Sequence, residues 1–269
     1  MRSLNPGLIL MCLLPLTASA QSTNDEELNC VIAPNRVINL STAVEGVISE
    51  LKVEKGDVVK KGQVLGSLQS DVERESVALA KMRVDMQAQI AARKEQLSSA
   101  QRKYDRSVEL SDRKFISSEM LDEIRTDLEV ARLNYEDALE NRRLAEVELN
   151  RAQAQYNLRQ FESPIDGIVV ERFLSEGEFA QAQTILRLAS IDPLKVEVVA
   201  PIALYGSIKA GMKATIAPEA PLSGSYEATV KQVDQIVDAA SGLFGIRLDL
   251  PNPNNRLPAG IECTVRFDR

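Results

Sequence analysis

The sequence predicts an elongated α+β protein with several domains: a β-rich module in two halves, a long antiparallel α-helical hairpin between the halves, and further β structure after them. Three observations support this prediction. Residues 71–160 contain neither glycine nor proline, and their apolar positions follow heptad spacing. Short β-type segments with glycines at matching places flank that stretch on both sides, and β patterning resumes after residue 190.

The second arm of the predicted hairpin carries the clearer pattern. Its steps alternate between three and four residues, as in a coiled-coil seam: Leu121, Ile124, Leu128, Ala131, Tyr135, Ala138, Arg142, Ala145, Leu149, Ala152, Tyr156 and Arg159. The first arm carries a weaker copy at Val72, Ser76, Leu79, Arg83, Met86, Ile90, Arg93, Leu97, Ala100 and Tyr104. Arms of this length extend roughly 60–65 Å, so we expect the hairpin to project. The alternative interpretation is that the hairpin serves only as a solvated structural spacer.

The segments that flank the hairpin form an internal repeat. A constant offset aligns Gly46 with Gly167 and Gly56 with Gly177, and it also aligns Leu65 with Leu186. Each half has short β-type runs and an open apolar face, so the two halves together can close a small β-sandwich.

On these motifs, each half resembles half of a biotinyl/lipoyl carrier domain. The whole arrangement resembles the periplasmic adaptor subunits, or membrane fusion proteins of the HlyD-like family, in tripartite efflux pumps. The run from Ser163 to Val169 is similar to the motif that this family uses after its hairpin.

The resemblance implies the domain order. We expect a split lipoyl-like domain at residues 37–70 and 162–190, a coiled-coil hairpin at 71–161 and a small β-barrel at 191–269. Four glycines are expected to serve turns in the lipoyl-like halves: Gly46, Gly56, Gly167 and Gly177. The family's membrane-proximal domain is expected to be reduced or absent.

A covalently carried cofactor is not expected. Val72 stands where a carrier domain presents its modifiable lysine, and the helical hairpin replaces the tight turn that would display that lysine.

The tip of the hairpin is predicted between Ser111 and Glu119, with Ser117 or Ser118 as the cap of the returning helix. Arg106, Leu110 and Ser117 have the spacing with which the family's adaptors meet a TolC-like outer-membrane channel, so the resemblance implies a docking site here. Ordinary capping of a hairpin end is the alternative.

Residues 1–20 have the charged start, apolar core and small-residue cleavage site of a signal peptide, and residues 21–36 form an N-terminal leader that is polar up to Glu27. The mature protein is therefore expected in the periplasm, without a lipid anchor. Because the family packs its N-terminal segment beside the barrel, a Cys30–Cys263 disulfide is plausible in this oxidising compartment. Two buried free thiols remain the alternative.

The composition argues against catalytic activity and against nucleic-acid binding. The chain has no histidine, which removes the commonest general base and the commonest metal ligand. Its net charge of −7 does not suit a nucleic-acid-binding protein. No cofactor or metal site and no enzymatic activity are expected.

The predicted function is that of an adaptor. It would link an inner-membrane transporter, favoured to be of the RND type, to a TolC-like outer-membrane channel for export of small molecules, as a homo-oligomeric ring. One alternative is an adaptor for an ABC-type exporter or a type I secretion system. Another is a periplasmic coiled-coil scaffold without a channel partner.

Overall fold

A computed structural model describes residues 27–86 and 88–268. The chain divides into two units, one built from residues 33–194 with 252–259 and the other from the segments before 33, at 195–251 and from 260 onward. The predicted signal peptide, residues 1–20, lies outside the described residues. Among the helices described, none has both the length and the apolarity needed to cross a membrane.

The first unit contains a β-sandwich and the helical hairpin. The first half contributes β2 (Arg36–Leu40), β3 (Gly46–Leu51), β4 (Val58–Val59) and β5 (Val64–Leu68). The second half contributes β6 (Gln160–Glu162), β7 (Gly167–Arg172), β8 (Phe179–Ala180) and β9 (Leu186–Ser190). One sheet has the order β2-β9-β7-β4 and the other the order β6-β5-β3-β8. Each sheet therefore mixes strands from both halves.

The internal repeat determines this arrangement. Strands that the repeat makes equivalent occupy equivalent places in opposite sheets: β3 and β7, β4 and β8, β5 and β9. The two turns are joined reciprocally, because the Gly56 N–H donates to the Val169 carbonyl at 2.8 Å and the Gly177 N–H donates to the Ile48 carbonyl at 2.9 Å. Ile48 and Val169 are each 1% exposed. Neither half can complete its hydrogen bonds or bury its apolar face without the other.

The four repeated glycines divide into two kinds. Gly56 and Gly177 lie in turns with φ of +97° and +85°, a region that residues with a Cβ rarely adopt. Gly46 and Gly167, predicted as turn residues, are instead the first residues of β3 and β7. At Gly167 a Cβ would lie 2.1 Å from the Ala189 carbonyl oxygen, so close backbone approach, and not a turn, accounts for this glycine.

The hairpin consists of three helices: α1 (Asp71–Asp85), α2 (Ala88–Asp112) and α3 (Ser118–Asn157). Ion pairs between the arms show that they run antiparallel: Glu73–Arg159, Arg83–Glu148 and Lys103–Asp127. On α3 the predicted seam positions are buried or half-buried, except for Arg142, which is exposed. On its solvent side Arg132 bonds to Glu129, and this hydrogen bond lowers the pKa of the glutamate.

The first arm differs from its prediction. It is two helices and not one, because Met86 has φ −72° and ψ +71°, outside the helical region. In α2 the predicted positions from Ile90 to Tyr104 are half-buried. In α1 the predicted positions Val72, Ser76, Leu79, Arg83 and Met86 are all exposed. The α1 residues that face α3 lie one position later, at Val77, Ala80 and Val84.

The second unit is a closed six-stranded barrel. Its strands are β1 (Leu28–Ala33), β10 (Leu194–Pro201), β11 (Lys213–Pro218), β12 (Tyr226–Asp238), β13 (Leu243–Leu250) and β14 (Ile261–Phe267). Around the barrel they follow the order β1-β10-β13-β12-β11-β14. In β10 and β14 buried residues alternate with exposed or half-buried ones, as expected for a filled barrel. Cys30 on β1 lies opposite Cys263 on β14, and a disulfide joins them.

Candidate docking site at the hairpin tip

The end of α2 is closed by a tight backbone motif. The Phe115 N–H donates to the Leu110 carbonyl at 2.9 Å, and the Lys114 N–H donates to the Ser111 carbonyl at 2.8 Å. These are the two bonds of a Schellman motif, which requires a left-handed residue just past the helix. Lys114 fills that place with φ +60°. Because glycine is the usual residue there, this turn holds a lysine in an uncommon conformation.

The start of α3 is capped by Ser117, one of the two predicted candidates. Its side-chain oxygen accepts a hydrogen bond from the Met120 N–H at 3.2 Å, and its backbone is extended, as expected at an N-cap. Glu119 in the first turn complements the positive end of the helix. Helix α2 therefore ends, and α3 begins, with its orphan backbone groups partly satisfied.

The structure brings the three predicted docking residues to the last turns of the hairpin. Arg106 and Leu110 are four residues apart on α2 and so lie on one face of it. Both are exposed, Leu110 by 43%. In the described part of the chain the Arg106 guanidinium has no ion pair or hydrogen bond, whereas Ser117 is engaged in the cap. Two of the three residues are thus free to meet a partner.

Sequence reasoning missed the most exposed apolar side chain of the tip. Phe115 is 73% exposed, and Met120, on the first turn of α3, is 48% exposed. The available signal was an aromatic residue directly after the polar run Asp112-Arg113-Lys114. Leu110, Phe115 and Met120 are called the tip cluster below. An exposed aromatic with apolar neighbours is typical of a protein-binding surface.

The opposite end of the hairpin is tied to the sandwich. Arg159, just past α3, contacts Glu73 on α1 at 2.6 Å and donates to the Glu45 carbonyl at 2.9 Å. At Gly46 a Cβ would lie 3.0 Å from the same guanidinium. Val72, at the place of a carrier lysine, is 76% exposed on the first turn of α1. The root therefore holds both arms together, while the tip is exposed.

Within residues 27–86 and 88–268, no group of three or more His, Cys, Asp or Glu side chains is placed to hold a metal ion. The candidate site at the tip presents apolar and cationic side chains.

Comparison with known proteins gives matches along most of the chain. Residues 36–190 match the family model of the CzcB-like barrel-sandwich hybrid domain, and residues 194–269 match that of the CusB-like β-barrel domain. The macrolide export protein MacA of Yersinia pestis is 28% identical over 241 residues, covering 86% of this chain and 64% of that protein. The cobalt-zinc-cadmium resistance protein CzcB of Cupriavidus metallidurans is 24% identical over 221 residues, covering 82% of this chain and 40% of that protein.

The crystal structure of MacA from Actinobacillus actinomycetemcomitans has the same fold. It superposes with a TM-score of 0.71 at 24% identity and covers 90% of this chain and 78% of that one. The match covers 64% of the Yersinia pestis protein and 40% of the Cupriavidus metallidurans protein, so the chain spans less than two thirds of the length of either relative.

Proposed function

This chain belongs to the membrane fusion proteins, the adaptor family of tripartite efflux pumps, and from that premise we propose that it links an inner-membrane transporter to a TolC-like outer-membrane channel. The channel would be met by the hairpin tip. The transporter would be met by the sandwich and barrel units. Both contacts would lie in the periplasmic space, where adaptors of this family act.

The observation that carries the proposal is the exposed tip cluster at the end of a long hairpin. Helix α3 has 40 residues, which corresponds to a length of about 60 Å. The tip cluster lies at the far end of that length from the root pair Glu73–Arg159. Leu110 and Phe115 lie on the Schellman turn and favour helix-to-helix contact with a partner, and Arg106, about one helical turn before Leu110, supplies charge beside them.

The proposed assembly is a homo-oligomeric ring. Large apolar side chains recur at exposed positions of α3: Val130, Leu133, Leu144 and Val147, each between 51% and 62% exposed. Their spacing of three, eleven and three residues keeps them on one helix face. Side-by-side contact between hairpins of neighbouring copies would cover that face.

The transporter is proposed to be of the RND type, and an ABC-type exporter or type I secretion system is the alternative. The named relatives are a macrolide export protein and a cobalt-zinc-cadmium resistance protein, so the family membership does not assign one cargo. Small-molecule export is the proposed process.

The test is to place charge in the tip cluster. Leu110→Asp and Phe115→Asp should each abolish export and remove binding of the purified adaptor to the outer-membrane channel, because an aspartate cannot be desolvated in an apolar contact. Their helical circular dichroism should stay unchanged, since both side chains are exposed.

Leu139→Asp is the matched control, because Leu139 is 39% exposed and lies in the middle of α3. It should bind the channel as the unmodified protein does. Full channel binding by both tip variants would contradict the docking role. Loss of export with normal channel binding would instead locate the defect elsewhere in the pump.

A further inference from the structure

Helix α1 carries two sets of seam positions that differ by one residue. The set in use consists of Val77, Ala80 and Val84, which face α3. The other set consists of Val72, Leu79 and Met86, which are 76%, 50% and 71% exposed. Both sets have coiled-coil spacing, so the amino-acid pattern of α1 permits either to face α3.

Only the unused set is in phase with α2. Counted through the chain, Leu79, Met86, Arg93 and Ala100 follow one another at intervals of seven, and Arg93 and Ala100 are half-buried seam positions of α2. The set in use is out of phase, because Val84 and Ile90 are six residues apart. A single continuous helix over both segments would therefore place Leu79 and Met86, rather than Val84, against α3.

The joint between α1 and α2 accommodates this mismatch. The backbone of Met86 is outside the helical region, and the hydrogen bond from its N–H to the Arg83 carbonyl is long, at 3.4 Å. A cleft of about 320 Å³ lies beside the joint, lined by Val84, Met86, Ile90, Leu144 and Ala145 among others. The two arms thus leave an open surface groove where the two phases meet.

At its other end, α1 is held by the Glu73–Arg159 pair and not by a side-chain cap. Ser70 stands at the N-cap but makes no side-chain capping bond. The present phase is held by the ion pairs of Glu73 with Arg159 and of Arg83 with Glu148, and by the apolar set in use against α3.

We propose that α1 has two stable orientations relative to α3, which differ by a rotation of one residue, roughly 100°, about the helix axis. In the present orientation the first arm is jointed at Met86. In the other orientation α1 and α2 form one continuous helix, and Val72, Leu79 and Met86 face α3. The jointed arm keeps the Glu73–Arg159 pair. The continuous arm buries larger apolar side chains and restores the helical hydrogen bonds at Met86. These gains and losses oppose one another, so neither setting has all of the favourable contacts.

Disulfide trapping in the exported, otherwise unmodified chain tests the exchange. Ala152 is a buried seam residue of α3, and it lies level with Ala80 because the Arg83–Glu148 and Glu73–Arg159 pairs fix the height of the arms. Ala80→Cys with Ala152→Cys should form an intramolecular disulfide in the jointed arm. Leu79→Cys with Ala152→Cys should form one in the continuous arm. Ala78→Cys with Ala152→Cys is the control, because residue 78 faces away in both settings.

The expected result is trapping of the first two pairs and none of the third, read by peptide mapping. The proposal would be overturned if the disulfide between Leu79→Cys and Ala152→Cys formed no faster than the one between Ala78→Cys and Ala152→Cys. So would disulfides that join only separate copies, since a second chain would then cover the outer face of α1.

Two further variants shift the balance in opposite directions. Val77→Ser weakens the jointed setting and should raise Leu79–Ala152 trapping, while Val72→Ser weakens the continuous setting and should lower it. Each change should be roughly threefold to tenfold, as expected for the loss of a partly buried valine side chain. Equal trapping in the two variants would contradict the exchange, because general loosening of α1 would not distinguish them. The test needs no export measurement, so its outcome is independent of the proposed adaptor function.

Discussion

Arg159 and Glu73 lock the root of the hairpin, with the arginine Nη2 2.6 Å and its Nε 2.9 Å from the same carboxylate oxygen, Oε1. Their side chains are only 26% and 19% exposed. Arg159 follows the last turn of α3 and Glu73 belongs to the first turn of α1, so this contact joins the two places where the chain leaves and returns to the sandwich.

A double-mutant cycle should measure this pair. We expect Arg159→Met and Glu73→Gln to be coupled by about 1–3 kcal/mol in urea unfolding, because a partly buried, charge-assisted pair loses little to solvent screening. The control pair is Arg143 and Glu140, whose side chains are 74% and 63% exposed on α3. Their coupling should fall below about 0.5 kcal/mol. A coupling energy between Arg159 and Glu73 as small as that of the control pair would show that the root pair does not stabilise the hairpin.

Replacing Lys114 by glycine should stabilise the hairpin. The residue adopts φ +60° at the position of the Schellman turn where glycine has no steric penalty, so we expect a gain of about 1 kcal/mol. Lys94→Gly is the control, since Lys94 is an exposed residue in the interior of α2, where glycine should cost about 1 kcal/mol. Thermal melting of the helical circular dichroism signal measures both. A lower melting temperature for Lys114→Gly would contradict the strain assigned to this turn.

The Cys30–Cys263 disulfide should be present in the exported protein. It joins β1 to β14 across a sequence separation of 233 residues, with the two Cα atoms 4.9 Å apart. Thiol labelling of denatured, unreduced mature protein should find no reactive thiol. Replacing both cysteines by alanine should lower the stability of the barrel by about 2–5 kcal/mol, because the unfolded chain regains the entropy of a long loop. Two reactive thiols per mature chain would contradict the presence of this disulfide.

The sandwich was largely predictable because the repeat constrains it from both sides. Glycines and apolar residues recur at one offset, so strands that correspond in sequence must find corresponding places, and the reciprocal Gly56–Val169 and Gly177–Ile48 bonds follow. The seam of α3 was predictable for a similar reason, since its heptad spacing continues along the 40 residues of the helix. The roles of Gly46 and Gly167 were not, because a glycine in a turn and a glycine beneath a carbonyl look alike in sequence.

The sequence by itself determined that a hairpin interrupts a duplicated β-module, which residues share a face of each helix, and where the tip lies. Only the tertiary structure decided which face of α1 meets α3, that the first arm is jointed at Met86, and that Phe115 is exposed at the tip. The physical reason is that periodicity relates residues along one helix, whereas the choice between two apolar faces depends on contacts far away in sequence. Here the pairs Glu73–Arg159 and Arg83–Glu148 favour the face that the heptads of α2 do not continue.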